Sequence, residues 1–212
     1  VENMKKVETV VYPTNEPTED KVYRIAECVA SLVPAGSNIL NALLTAPYER
    51  RLEKWCNEVT EAVNILVTKQ GISLDDIKSN EQFIDFILSL TQTAVKTSQH
   101  EKLKYLKNAL VKSATVQFDD QDEYNYYLAL IDSFSLAHII VLIAYRGVQA
   151  GCKDEYSRLE HIDNYEHKSY IYRQVLSELI SKELVIVRQC ETWGIQVYLS
   201  PVGNKLDQLL SH

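Results

Sequence analysis

Apolar residues recur along most of this 212-residue chain at intervals of three and four, the period of an α-helix with one buried face. Behind a cap at Thr18, with Glu19 and Asp20 in the first turn where the helix dipole favours anions, a stripe runs through Val22, Ile25, Val29 and Leu32 or Val33. Pro34 to Gly36 break it. Ile39, Leu40, Leu43 and Leu44 form a short second helix, and Pro47 suits the first turn of a third. That helix runs over about 48–69 and buries Leu52, Trp55, Val59, Ala62, Val63 and Leu66, with Gly71 ending it. Residues 73–78 read as a single short turn. Asn80 caps a helix carrying Phe83, Ile84, Ile87, Leu88, Thr91 and Val95. The stripe resumes past Thr97-Ser98-Gln99 at Leu103, Leu106, Leu110 and Ala114, and the pattern leaves one long helix or two open over 80–114. The acidic turn Asp119 to Asp122 leads to a helix around 124–133. Residues 18–134 therefore read as a bundle of about five helices. They follow an N-terminal arm, 1–17, in which Pro13 and Pro17 prevent a continuing element.

The pattern changes at Ser135, which caps a strongly apolar helix from Leu136 to Tyr145. Gly147 and Gly151 loosen the following loop, residues 154–161 suit a short second helix, and residues 168–181 a third with Ile171, Val175, Leu176, Leu179 and Ile180 inward. Leu184 to Val187 is short and β-branched, and Ile195 to Leu199 alternates as a half-buried strand does. With Thr192-Trp193-Gly194 between them, the two predict a β-hairpin. Ser200-Pro201 is a cap followed by proline at the first helical position, opening a last helix with Val202, Leu206, Leu209 and Leu210.

The segment Leu179-Ile180-Ser181-Lys182-Glu183-Leu184-Val185, followed by Tyr198-Leu199-Ser200-Pro201-Val202-Gly203, resembles the "L-x-x-x-G-L-V … Y-x-L-T-P-x-G" phrase of bacterial winged-helix domains. Glu183 stands where that phrase has glycine. The resemblance covers residues 135–212 and implies a winged-helix domain with a small hairpin wing. Ala46-Pro47-Tyr48-Glu49-Arg50-Arg51-Leu52-Glu53-Lys54-Trp55, with Glu101-Lys102-Leu103 through Asn108-Ala109, is similar to a group of bacterial helical proteins. That group is loosely similar in layout to the abortive-infection alpha type, which implies a link to phage defence. The fold expected is thus mainly α: an N-terminal helical bundle, then a C-terminal winged helix.

Composition narrows the function classes. Apolar residues make up 46% and charged residues 24%, as in ordinary globular proteins, and 6 Gly and 5 Pro leave little room for the turns of an all-β fold. The net charge of −7 does not suit a general nucleic-acid binder. Divided at the expected boundary, residues 1–134 carry 14 cations and 20 carboxylates, and residues 135–212 carry 8 and 9, a nearly neutral C-terminal part. Cys28, Cys56, Cys152 and Cys190 lie far apart, without paired metal or disulfide spacing. The start of the chain lacks a signal-peptide core, and the apolar stretches at 25–47 and 136–145 are too interrupted or too short to insert stably in a membrane. A cytoplasmic protein is expected.

No phosphate-cradling glycine loop, nucleophile elbow or H-E-x-x-H occurs. Glu160, His161, Asp163, Glu166 and His167 are the best metal candidates, since Asp163 and His167 would share a helix face. A solvated polar connection explains them better, because no complete ligand set is present. Asp132, Ser133 and His138 invite a hydrolase reading, but a satisfied histidine on an apolar helix is the plainer one. No catalytic residue, metal or cofactor is therefore expected, and the chain reads as a non-enzymatic binding module. If the third helix of the C-terminal part reads duplex DNA, its candidates are Lys168, Ser169, Tyr170, Tyr172, Arg173 and Gln174, with Arg188 on the wing. A second basic segment offers Lys102, Lys104 and Lys107 between Lys96 and Lys112. The expected role is a winged-helix DNA-binding regulator that forms homo-oligomers through its bundle. The alternative is a scaffold or adaptor that binds protein.

Overall fold

The computed structural model describes residues 38–147, 149–152, 154–190 and 194–211. The arm expected at 1–17, the first helix after Thr18 and the Pro34–Gly36 break lie outside them. The described residues divide into two compact units, with the boundary between Ala114 and Thr115.

In the first unit, α1 (Asn38–Gln70) packs on α3 (Glu81–Lys96) and α4 (His100–Ser113), with the short α2 (Leu74–Ser79) joining α1 to α3. α1 runs through Pro47, where two helices were expected. The proline removes one backbone donor, and the loss of that single bond does not end the helix. Asn80 Oδ1 accepts from the amide of Phe83 at 3.0 Å, the cap expected there, whereas Ser73 Oγ accepts from that of Asp76 at 3.0 Å and opens a helix of 6 residues where a single turn was expected. The question left open over 80–114 resolves as two helices, separated by extended Thr97 and residues 98–99. Trp55, Leu66, Phe86, Leu106 and Leu110 are fully buried. Trp55 Nε1 donates to Thr91 Oγ1 at 2.8 Å, so the one polar atom of the ring has a partner inside the bundle. Ile84 and Leu88 were expected inward but are exposed; Phe83, Phe86, Ile87, Leu90 and Ala94 form the inner face instead. α3 carries apolar residues on two sides, and its helical period alone does not say which side packs.

The second unit runs α5 (Gln121–Ser133), α6 (Leu136–Ala144), β1 (Gln149–Cys152), a 3₁₀ turn (Leu159–His161), α7 (Tyr165–Ser181), β2 (Val185–Cys190), β3 (Gly194–Leu199) and α8 (Pro201–Leu210). The three strands form an antiparallel sheet in the order β1-β3-β2. β2 and β3 pair from Val185 opposite Leu199 to Cys190 opposite Gly194, while β1 joins the other side of β3 with an irregular register. β1 lies where the sequence suggested only a loop, because Gln-Ala-Gly-Cys shows no alternation. The second helix expected over 154–161 is a turn ending in the 3₁₀ segment. α7 packs on α6, the 3₁₀ turn and β2; α8 packs on α6 and β3.

The hydrophobic pattern places the end of the bundle at 134, whereas the packed chain divides at 114/115 and leaves α5 with the second unit. Lys205 of α8 shows why. Its Nζ lies 2.6 Å from Glu123 Oε1 and over the rings of Phe118 and Tyr127, 5.1 and 5.6 Å from their centroids. That arrangement desolvates a charge only beside its counter-ion and two ring faces. Among the described residues no single helix is long and apolar enough to cross a membrane; α5 and α6 together pass that test but bend by 112° between them.

Candidate nucleic-acid interface

α7 has two faces. Tyr172, Val175, Leu176 and Leu179 are buried, and Glu166, His167, Tyr170, Arg173, Gln174 and Ser177 are exposed. Glu166, Tyr170, Arg173, Gln174 and Ser177 lie three and four residues apart on the outer stripe, so one carboxylate shares it. Tyr170 is 73% exposed.

Two of the expected contacts do not sit on that stripe. Tyr172 is only 3% exposed and stacks on Tyr165, with ring centroids 6.5 Å apart and planes 8° from parallel. Its ring supports the helix from inside. Lys168 is exposed, but it precedes Tyr172, Val175 and Leu179 by four, seven and eleven residues. It therefore continues the core line into the helix's first turn and does not share the Tyr170 face. Ser169 is half-buried. Arg188 is exposed on β2, opposite Gln196. Trp193, expected near the wing, lies outside the described residues.

Arg173 is held in place. Its Nε donates to Tyr165 Oη at 3.2 Å, and its guanidinium carbon lies 4.7 Å from the Tyr156 ring centroid. The Tyr165 hydrogen bond raises its pKa above the ordinary value. On the same helix, both oxygens of Glu178 face protein groups: Oε2 lies 2.9 Å from His138 Nε2, and Oε1 accepts from Gln174 Nε2 at 3.3 Å. The His138 hydrogen bond holds the Glu178 carboxyl below the usual range, with Gln174 adding to it. The Ser135 amide donates to His138 Nδ1 at 3.3 Å, which requires a lone pair there and puts the ring proton on Nε2, aimed at Glu178. The serine beside the histidine is thus Ser135, in a capping box at the start of α6. Ser133 instead donates to the Leu130 carbonyl at 2.9 Å, as helix-end serines do. The sequence marked Ser135 as a cap, but nothing in the pattern pairs His138 with Glu178, 40 residues away.

The basic segment of α4 does not form an open cationic row. Lys102 is 7% exposed and Lys104 is exposed. Lys107 Nζ lies 2.7 Å from Glu58 Oε2 and 2.6 Å from Glu61 Oε2. Burial works to lower the Lys107 pKa, and the two carboxylates outweigh it, so the value is raised. The counter-ions come from α1, half the unit away in sequence. Cys56 is a free thiol whose pKa burial pushes up to about 11.

Asn164, at φ 60°, turns the chain immediately before α7. Asp163 therefore lies outside the helix, and its four-residue spacing to His167 does not give a shared helix face. Among the described residues no group of three or more His, Cys, Asp or Glu side chains converges as a metal site.

The chain is mainly helical, with a small antiparallel sheet near its C-terminal end. No protein-family description matches it, and no curated protein or solved structure is significantly similar to it.

Proposed function

We propose that the second unit is a winged-helix binding module and that α7 reads duplex DNA in the major groove. The observation that carries this reading is the outer stripe of Tyr170, Arg173, Gln174 and Ser177 on a helix whose other face is core. Its setting supports it: a helix, a strand, a short turn, α7, a two-stranded hairpin and a closing helix, with the first strand completing the sheet. No catalytic role is assigned to any residue. The first unit serves as the dimerisation or sensing module, and Ile84 and Leu88, 37% and 55% exposed on α3, are its apolar surface for a second chain.

Charge shapes the expected binding. The second unit holds eight Lys+Arg against fourteen Asp+Glu, a balance of −6. Lys168, Arg173, Lys182 and Arg188 are the exposed cations on α7, its end and β2. Four phosphate contacts limit the slope of log K against log salt to about −3.6. Binding of the purified chain to mixed-sequence duplex across a salt series tests this: a slope between zero and that limit, flattened in Arg173→Glu, supports the reading. A second reading, recognition of a protein, is favoured by the acidic balance and by Tyr170 beside Arg173, residue types that anchor protein interfaces. Absence of duplex binding at low salt decides for it.

A further inference from the structure

Building on the reading of α7 as the DNA-contacting helix, we propose that Arg173 is a guanine-specific reader, set in its geometry by Tyr165 and Tyr156. An arginine can meet a planar acceptor pair side-on, through Nε and one Nη, or end-on, through both Nη atoms. Tyr165 Oη occupies Nε–H at 3.2 Å, so the side-on edge is taken. Tyr156 covers the guanidinium at 4.7 Å, so the plane is set. Nη1 and Nη2 have no hydrogen-bond partner among the described residues, although the Asp154 carboxylate acts on the guanidinium through space, and their paired N–H groups form the remaining fork. O6 and N7 of guanine present two acceptors at matching spacing in the major groove; adenine places an amino donor where guanine has O6 and repels the fork. The clamp is itself anchored, because Tyr165 stacks on buried Tyr172.

Gln174, the other candidate base reader, donates from its amide nitrogen to Glu178 at 3.3 Å. That bond ties one of its two amide hydrogens to the protein and leaves the other hydrogen and the carbonyl oxygen for a base edge. The Glu178 carboxylate, which would repel phosphate, has one oxygen on His138 and the other on Gln174. Arg173 is thus the exposed cation on this face whose side chain is held by two rings while its terminal N–H groups have no hydrogen-bond partner among the described residues.

The test is selection of bound duplexes from a random-sequence pool by the full chain at low salt, followed by affinities for the selected duplex and for its single-base variants. The expected result is one position at which guanine is preferred by about 5–100-fold. Arg173→Ala abolishes that preference and binds the variants nearly as well as before. Tyr165→Phe keeps the urea midpoint but lowers the preference several-fold, because the guanidinium loses its tether while the ring still stacks. Three results overturn the proposal. A guanine preference that survives Arg173→Ala places the reader elsewhere. Equal weakening of all duplexes by Arg173→Ala makes it a phosphate contact. Salt-sensitive binding without base preference removes the reader but leaves α7 as a DNA-binding helix, whereas no duplex binding at any salt removes both.

Discussion

Glu183 closes α7 in a conformation that glycine favours, and replacing it measures what that costs. The residue sits at φ 56°. It belongs to a turn in which the Leu184 amide bonds the Leu179 carbonyl at 2.9 Å and its own amide bonds the Ile180 carbonyl at 2.9 Å. Leu179 and Leu184 are both fully buried, so the turn brings together the hydrophobic pair that accompanies this helix ending. A side chain in the left-handed region crowds its carbonyl at about 1–2 kcal/mol. Glycine removes the crowding but adds unfolded-chain freedom of about 0.5–1 kcal/mol. The exposed carboxylate also faces the negative end of the helix dipole, and its removal contributes at most about 0.5 kcal/mol at moderate salt. Glu183→Gly is therefore expected to stabilise the second unit by about 1 kcal/mol, roughly 4–8 °C in Tm for a unit of this size. Glu183→Ala keeps the crowding and gains at most the dipole contribution. The assay is urea and thermal unfolding of the full chain, with amide exchange at Leu179 to Leu184 to report on this unit. A glycine variant no more stable than the alanine variant would refute the reasoning.

The opposite substitution at Gly203 should be costly. A Cβ there would lie 2.1 Å from the Leu184 carbonyl oxygen, a backbone atom that cannot swing away, so Gly203→Ala is expected to lose about 2–3 kcal/mol in the same unfolding assay. Lys205 and the Asp119 amide hold the Glu123 carboxyl below its ordinary 4.5. Its contribution is complete above that value and fades as pH falls through the lower folded one; a urea midpoint that declines as steeply between pH 5 and 3, about the carboxylate range, in Glu123→Gln as in the wild type would contradict this. In the first unit, Leu106→Ala removes a fully buried side chain and is expected to cost about 2–5 kcal/mol, read from the Trp55 fluorescence transition in a Trp193→Phe background. Leu88→Glu should leave that transition in place and reduce self-association in sedimentation velocity.

Local chemistry was readable where a residue acts on its own neighbours. Asn80, Ser135 and Ser200 cap helices through their own side chains, and Pro201 opens α8. A cap needs only the next three residues, so sequence order contains it. What depends on a distant partner was hidden. The period of α3 did not reveal that Phe86, not Leu88, lies on the packed side. Four residues without alternation did not reveal β1, which exists because β3 offers it an edge. The lysines of α4 looked like a cationic row until Glu58 and Glu61 approached Lys107 from α1. On α7 the helical period, applied strictly, already separates Lys168 from Arg173. Only the packed structure shows that Tyr165 and Tyr156 hold the arginine.

The position of α5 changes the electrostatic argument most. Counted from residue 135, the C-terminal part is nearly neutral and a basic face is easy to imagine. Counted from residue 115, where the packed unit begins, it gains Asp119, Asp120, Asp122, Glu123 and Asp132 and reaches −6, while the first unit falls to −1 from fourteen Lys+Arg and fifteen Asp+Glu. One contact that ties α5 to this unit is Lys205 to Glu123, 82 residues apart, and no local pattern contains it. General phosphate neutralisation supplies most non-specific duplex affinity, and a unit of this charge has little to offer it. On the reading proposed above, duplex affinity of the second unit would draw more on base contacts than on its few exposed cations, with the tethered Arg173 as the base contact on α7. Protein recognition makes the opposite demand: it needs no cationic surplus, and Tyr170 would then anchor the interface. Tyr170→Ala and Arg173→Ala thus separate the two readings, since duplex discrimination falls mainly with the arginine and protein affinity falls with both.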